Sequence, residues 1–237
     1  MERVVFIGDS WGRYLGEAAE TGNLLQPLNA VADWQRTTFI GSTASKFVRN
    51  YDSYMDLAVE AVKKTCRLIV FSLGGNDFYN LAHFNDLSAA SESFIDESFT
   101  KIRNNLISVL KELRENTSAP ILFSGYDYFN IDKLVDLFTP DSRLRKLETP
   151  LFNRLMMKEG RFAAEAAAAV SGVFCSVNWG LLQHNADPER YPLRGGNPNE
   201  PTPVSWIPDG MHPTKEGYRL LLLSTLKQAG ILPARNQ

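Results

Sequence analysis

The sequence predicts an α/β protein, a three-layer α/β/α sandwich on a five-stranded parallel sheet of flavodoxin-like order. Two observations carry that expectation. Short apolar runs rich in β-branched residues recur at 4–7, 37–40, 68–72, 121–124 and 172–177, and read as strands buried on both faces. Segments with helical spacing lie between them, so strand and helix alternate along the chain.

The first run, Val4-Val5-Phe6-Ile7, ends at Gly8. After the second run, Phe47, Tyr51, Met55, Val59 and Val62 fall on one helical face. The third connection repeats the pattern with Phe94, Phe99, Ile102, Leu106, Val109, Leu110 and Leu113. Phe152, Leu155, Met156, Phe162, Ala166 and Val170 form the next face, and the alanines of 163–169 suit a closely packed helix. Tyr218, Leu221, Leu222 and Leu226 close the series. Two stretches break the rhythm, at about 78–93 and 178–208, and are expected to be long loops. The second carries Gly195-Gly196-Asn197-Pro198-Asn199 and then Pro201, Pro203 and Pro208. Such connections serve as binding loops or lids, or are plain surface excursions. With no internal repeat and no separating linker, 1–237 is expected to be a single domain.

At 237 residues the chain is long enough to bury a sizeable core, and its 44% hydrophobic and 22% charged residues are ordinary for a globular protein. A formal net charge of −2 gives no reason to expect nucleic acid or an anionic membrane as partner. No apolar run approaches the roughly 18 residues of a spanning helix. Because Arg3-Val4-Val5-Phe6-Ile7 already reads as strand, no cleavable leader is expected within the sequence, which suggests a cytoplasmic protein unless an export signal was removed. Cys66 and Cys175 have neither C-x-x-C spacing nor histidine partners, so they read as small buried side chains, and no metal site or disulfide framework is expected.

Four segments carry chemistry. Gly8-Asp9-Ser10-Trp11-Gly12 matches the G-x-S-x-G nucleophile elbow of α/β-hydrolases. That fold takes an oxyanion donor from a loop after an earlier strand, and only nine residues precede Ser10, so the α/β-hydrolase assignment fails on position. Asp209-Gly210-Met211-His212-Pro213-Thr214 offers a histidine to activate a serine and a carboxylate, one local turn away, to orient the ring. The same segment also suits a capping turn with Pro213 opening a helix. Gly74-Gly75-Asn76-Asp77 combines a tight turn with a side-chain N–H suited to an oxyanion, although Gly and Asn are also common turn residues. Gly41 could aim a bare backbone N–H into the same space. In the flavodoxin-like order the first strand lies between the second and third, so Ser10, Gly41 and Asn76 all follow carboxyl ends that meet at one crevice.

Together these segments resemble the SGNH (GDSL-type) hydrolase superfamily, named for Ser, Gly, Asn and His in separate blocks. The resemblance implies a parallel-sheet hydrolase of esters or thioesters with no metal or organic cofactor. It makes Ser10 the nucleophile, His212 the base and then acid, and Asp209 its orienting partner. It also makes the backbone N–H groups of Ser10 and Gly41, with the Asn76 side chain, an oxyanion hole. The implied partner is a small ester substrate, such as an O-acetylated carbohydrate, with lysophospholipase or thioesterase activity as alternatives. Oligomeric state is not legible. Asp9 is expected to cap a turn or helix, and Asp77 to brace the Asn76 loop. Trp11, Trp206, Phe78 and Tyr79 are expected either to pack or to line a pocket. A non-catalytic flavodoxin-like binding domain is the reading from a different class. It loses ground because Asp9 and Trp11 stand where a phosphate would need to be cradled.

Overall fold

The computed structural model describes residues 2–137 and 140–233. Five strands form one parallel sheet: β1 (Glu2–Gly8), β2 (Ala30–Asp33), β3 (Cys66–Ser72), β4 (Ile121–Phe123) and β5 (Val173–Cys175). Their order is β2-β1-β3-β4-β5, the flavodoxin-like arrangement. β1 and β3 lie in the middle, and Val4–Ile7 and Leu68–Phe71 are buried because helices cover both faces.

The longer helices are α1 (Ser10–Thr21), α3 (Tyr54–Lys63), α4 (Gly75–Phe84), α5 (Glu92–Asn116), α7 (Thr149–Ala168) and α9 (Lys215–Gln228). Short ones are α2 (Ala44–Val48), α6 (Ile131–Leu134) and α8 (Leu181–Ala186). α1 packs beside α9, whereas α5 packs beside α3 and α7. Two helical layers follow from the strand order, since right-handed crossovers running left and right from β1 place their helices on opposite faces.

Three expectations need correction. The second strand is not 37–40 but Ala30–Asp33. The 37–40 segment instead crosses the carboxyl end of β1, where Thr38 makes an isolated bridge to Gly8 and Phe39 N–H donates to Gly8 O at 2.8 Å. β2 is an edge strand with Ala30 buried and Val31 exposed, so it has no continuous apolar run to reveal it. Phe174, in the other edge strand, is likewise partly exposed.

The helical face drawn through Phe47, Tyr51 and Met55 is interrupted. Asn50, Asp52 and Ser53 adopt left-handed backbone conformations, and Asn50 Oδ1 accepts from the N–H groups of Met55 and Asp56. An asparagine whose side chain caps the following turn ends one helix and begins another, leaving Tyr51 exposed. The predicted 78–93 loop is also shorter, because α4 runs to Phe84 on the buried side chains Phe78, Tyr79 and Ala82. The 178–208 connection is irregular except for α8. Asp127 anchors it, with its carboxylate accepting from the N–H groups of Gly180 at 2.5 Å and Leu182 at 2.8 Å.

Candidate active site

The nucleophile turn is built by close strand packing. A Cβ at Gly8 would lie 1.7 Å from Ser72 O, so only glycine lets β1 leave the sheet here. Asp9 is extended and caps α1 by accepting from Trp11 N–H at 2.9 Å. Ser10 thereby becomes the first helical residue, where backbone N–H groups have no partner within the helix. Among the described residues, neither the Ser10 N–H nor the Gly41 N–H meets an acceptor.

The Asp209 turn folds on its own carboxylate. Oδ1 accepts from Met211 N–H at 2.8 Å and His212 N–H at 2.6 Å, and Oδ2 lies 2.7 Å from His212 Nδ1. Gly210 is left-handed and presses against Asn130 O and Leu134 N, which excludes a side chain there. His212 Nε2 reaches Ser10 Oγ at 3.0 Å, and the ring packs edge-on against Tyr14. Thr214, rather than Pro213, sits at the start of α9 and caps it through Gly217 N–H. Burial works against charge on Asp209, but the hydrogen bonds from His212 and Met211 outweigh it and hold the carboxyl below its ordinary range.

Asn76 stands in the first turn of α4, its Nδ2 3.4 Å from Asp9 Oδ2. Gly41, left-handed at φ 72°, follows the segment that crosses β1. Asp77 braces the same corner, since its Oδ2 accepts from Ala44 N–H at 2.7 Å and so ties the Asn76 turn to the chain after Gly41. Burial pushes the Asp77 carboxyl up to about 6, opposed by the N–H groups of Ala44 and Ser45.

Two residues that sequence reasoning missed join these turns. Tyr126 donates to Asp9 Oδ2 at 2.8 Å and accepts from Gly75 N–H at 3.0 Å, so one phenol links the Ser10 turn to the Asn76 turn. Glu159 lies buried behind Gly74, where an added Cβ would stand 2.8 Å from its Oε1. Burial, with Asp77 and Asp9 nearby, raises Glu159 to about 8. Burial likewise raises Asp9 to about 7, against the hydrogen bonds from Tyr126, Trp11 and Gly12. Neither residue had a sequence signal, since a tyrosine after β4 and a glutamate within a helix are commonplace.

Trp11, Phe78 and Tyr79 are buried packing residues. Trp11 lies among Tyr126, Phe129 and Tyr218, and only Trp206 of the four suggested aromatics keeps partial exposure. His83 meets Ser142 and His184 meets Tyr191 O, away from Ser10. Among the described residues no cluster of His, Cys, Asp or Glu is disposed to hold a metal ion, and both cysteines are free. No helix among the described residues is long and apolar enough to cross a membrane. Chemically, a hydroxyl bonded to an imidazole whose other nitrogen faces a carboxylate is equipped to attack an electrophilic carbon.

The fold sets a serine, a histidine and a carboxylate at the carboxyl end of a parallel sheet, and the family the chain matches is one of ester-bond hydrolases. The sequence matches the family model of the GDSL-like lipases/acylhydrolases over residues 4–223, and the chain belongs to that family. No curated protein matched it. Among solved structures, a lipase from a goat rumen metagenome is similar at TM-score 0.60 and 13% identity, covering 97% of this chain and 98% of its own. A variant of an acetyl xylan esterase from Geobacillus stearothermophilus is similar at TM-score 0.59 and 16% identity, covering 99% and 97%.

Proposed function

We propose that this ester hydrolase works by double displacement through an acyl-enzyme on Ser10. The observation that carries the proposal is the unbroken hydrogen-bond chain from Asp209 through His212 to Ser10, at 2.7 and 3.0 Å. Ser10 Oγ attacks the ester carbonyl carbon as His212 Nε2 takes its proton. The tetrahedral oxyanion rests on the N–H groups of Ser10 and Gly41 and on the Asn76 side chain. His212 then returns the proton to the departing alcohol. A water molecule, deprotonated by the same imidazole, attacks the acyl-enzyme, and His212 returns that proton to Ser10 Oγ as the acid leaves.

The substrate proposed is a small acyl ester on a carbohydrate. The acetyl xylan esterase of similar fold favours that class. So does the groove beside the Gly41 loop, where polar and charged side chains predominate. The test is twofold. A fluorophosphonate should label Ser10 and no other serine, as read by peptide mapping, and label elsewhere would refute the assignment. p-Nitrophenyl esters of rising chain length, with acetylated oligosaccharides alongside, should show the highest kcat/KM for short acyl groups and acetylated sugars. Rates that climb with chain length would instead favour the lysophospholipase reading.

A further inference from the structure

A groove of about 650 Å³ opens between α2, α4 and α5, within the size range of sites that bury small ligands. Its walls begin where the proposed oxyanion donors stand. Thr43, Ser45 and Lys46 follow Gly41, while Asp77, Asn80 and Leu81 follow Asn76. Lys46 Nζ donates to Gly41 O at 3.2 Å, so the end of the groove at Lys46 abuts the loop that carries the Gly41 N–H.

The lining is strongly one-signed. Lys46, Arg49 and Lys101 contribute three cations, and Asp77 is the single carboxylate in the wall. That carboxylate accepts from the backbone N–H groups of Ala44 and Ser45 and also feels the charge of Lys46, so three cations against one carboxylate leave the wall net positive. Among the described residues none of the three cations forms an ion pair. The groove gathers these three cations on one concave wall, which focuses their field. Hydroxyl and amide donors, Thr43, Ser45, Asn80, Ser98 and Asn105, alternate with the cations. Tyr51 adds an exposed aromatic face at the same wall, with Lys46 Nζ 5.6 Å from its ring centre.

We infer that this groove binds an anionic sugar unit of the substrate, so that the enzyme acts on acylated acidic oligosaccharides. The inference rests on the ester-hydrolase reading above and narrows its substrate. Each part of the wall has a counterpart in such a ligand. The guanidinium of Arg49 and the ammonium of Lys101 meet a carboxylate or sulfate, the hydroxyls and amides meet sugar hydroxyls, and Tyr51 meets a pyranose face. A uronate carboxylate and a sulfate ester share that anion chemistry.

The test compares acetylated oligosaccharides matched in length and acetylation, one neutral, one bearing a uronate and one bearing a sulfate. At low ionic strength kcat/KM should favour an anionic substrate over the neutral one by about tenfold, which corresponds to about 1.4 kcal/mol of binding, and the preference should shrink as salt is added. The double variant Arg49→Ala, Lys101→Ala should remove the preference through KM, and whichever anionic arm loses more identifies the anion. Calorimetry with Ser10→Ala and the non-acetylated acidic oligosaccharide reads binding without turnover. Binding that depends on Arg49 and Lys101, in a protein that cleaves no ester, would uphold the groove and sink the hydrolase reading. Turnover of p-nitrophenyl acetate with equal rates on neutral and acidic sugars, and no calorimetric binding, would overturn the groove and leave the hydrolase reading intact.

Discussion

Replacing Glu159 by Gln tests the electrostatics beneath the candidate site. Glu159 is 1% exposed, and neither of its carboxyl oxygens has a hydrogen-bond partner among the described residues. Its carboxyl keeps its proton up to about 8 in the folded chain, against an ordinary value of 4.5. Between those values the folded state binds more protons than the unfolded state, so stability falls as pH rises and levels off above about 8. The slope this one group contributes is about 1.4 kcal/mol per pH unit. Going from pH 5 to pH 8 therefore costs the wild type about 4 kcal/mol more than a variant that cannot ionise there. For a chain of this size that is a Tm difference of roughly 8–16 °C. Glutamine has the shape of the protonated acid, so the two proteins should melt at similar temperatures near pH 5 and diverge as pH rises. Melting both by circular dichroism at half-unit steps supplies the assay. Asp9 and Asp77, also raised, are present in both proteins, and their repulsion of an ionised Glu159 is part of what the variant removes. Parallel curves from pH 5 to 8, or a wild type that gains on the variant toward pH 8, would refute the reasoning.

The remaining predictions concern turnover. Asp209→Asn should keep the fold and lower kcat by about 10⁴, because the amide favours the wrong tautomer of His212, and His212→Ala should cost at least as much. The double variant should lose little beyond the worse single change, whereas losses that multiply in steady-state kinetics would show that the two residues act separately. Asn76→Ala should lower kcat about 10²–10³-fold with KM nearly unchanged, and full turnover would leave Asn76 a turn residue only.

Much of the candidate site was legible because its bonds are local. Asp209 reaches the N–H groups and ring of a histidine three residues on, so one short segment specifies that geometry. Gly8-Asp9-Ser10 is similarly self-contained, since the aspartate caps the helix that begins with the serine. The central strands were equally plain, because burial on both faces demands continuous apolar residues, and β1 and β3 have them.

What tertiary structure alone decided was whatever depends on partners distant in sequence. β2 is an edge strand that draws its order from pairing with β1, and Ala-Val-Ala-Asp has no pattern that announces it. Asn50 ends a helix through bonds that exist only once the chain has turned. Tyr126 joins Asp9 to Gly75 across 117 and 51 residues, and Glu159 lies behind Gly74 from a helix 85 positions further on. The three cations of the groove come from two segments more than 50 residues apart, each unremarkable in its own stretch. The sequence by itself determined the local turns and apolar periodicity, because those interactions span a few residues. Only the folded chain decided the buried acids and the concentration of charge, because desolvation and Coulomb interaction act through space and have no period along the chain.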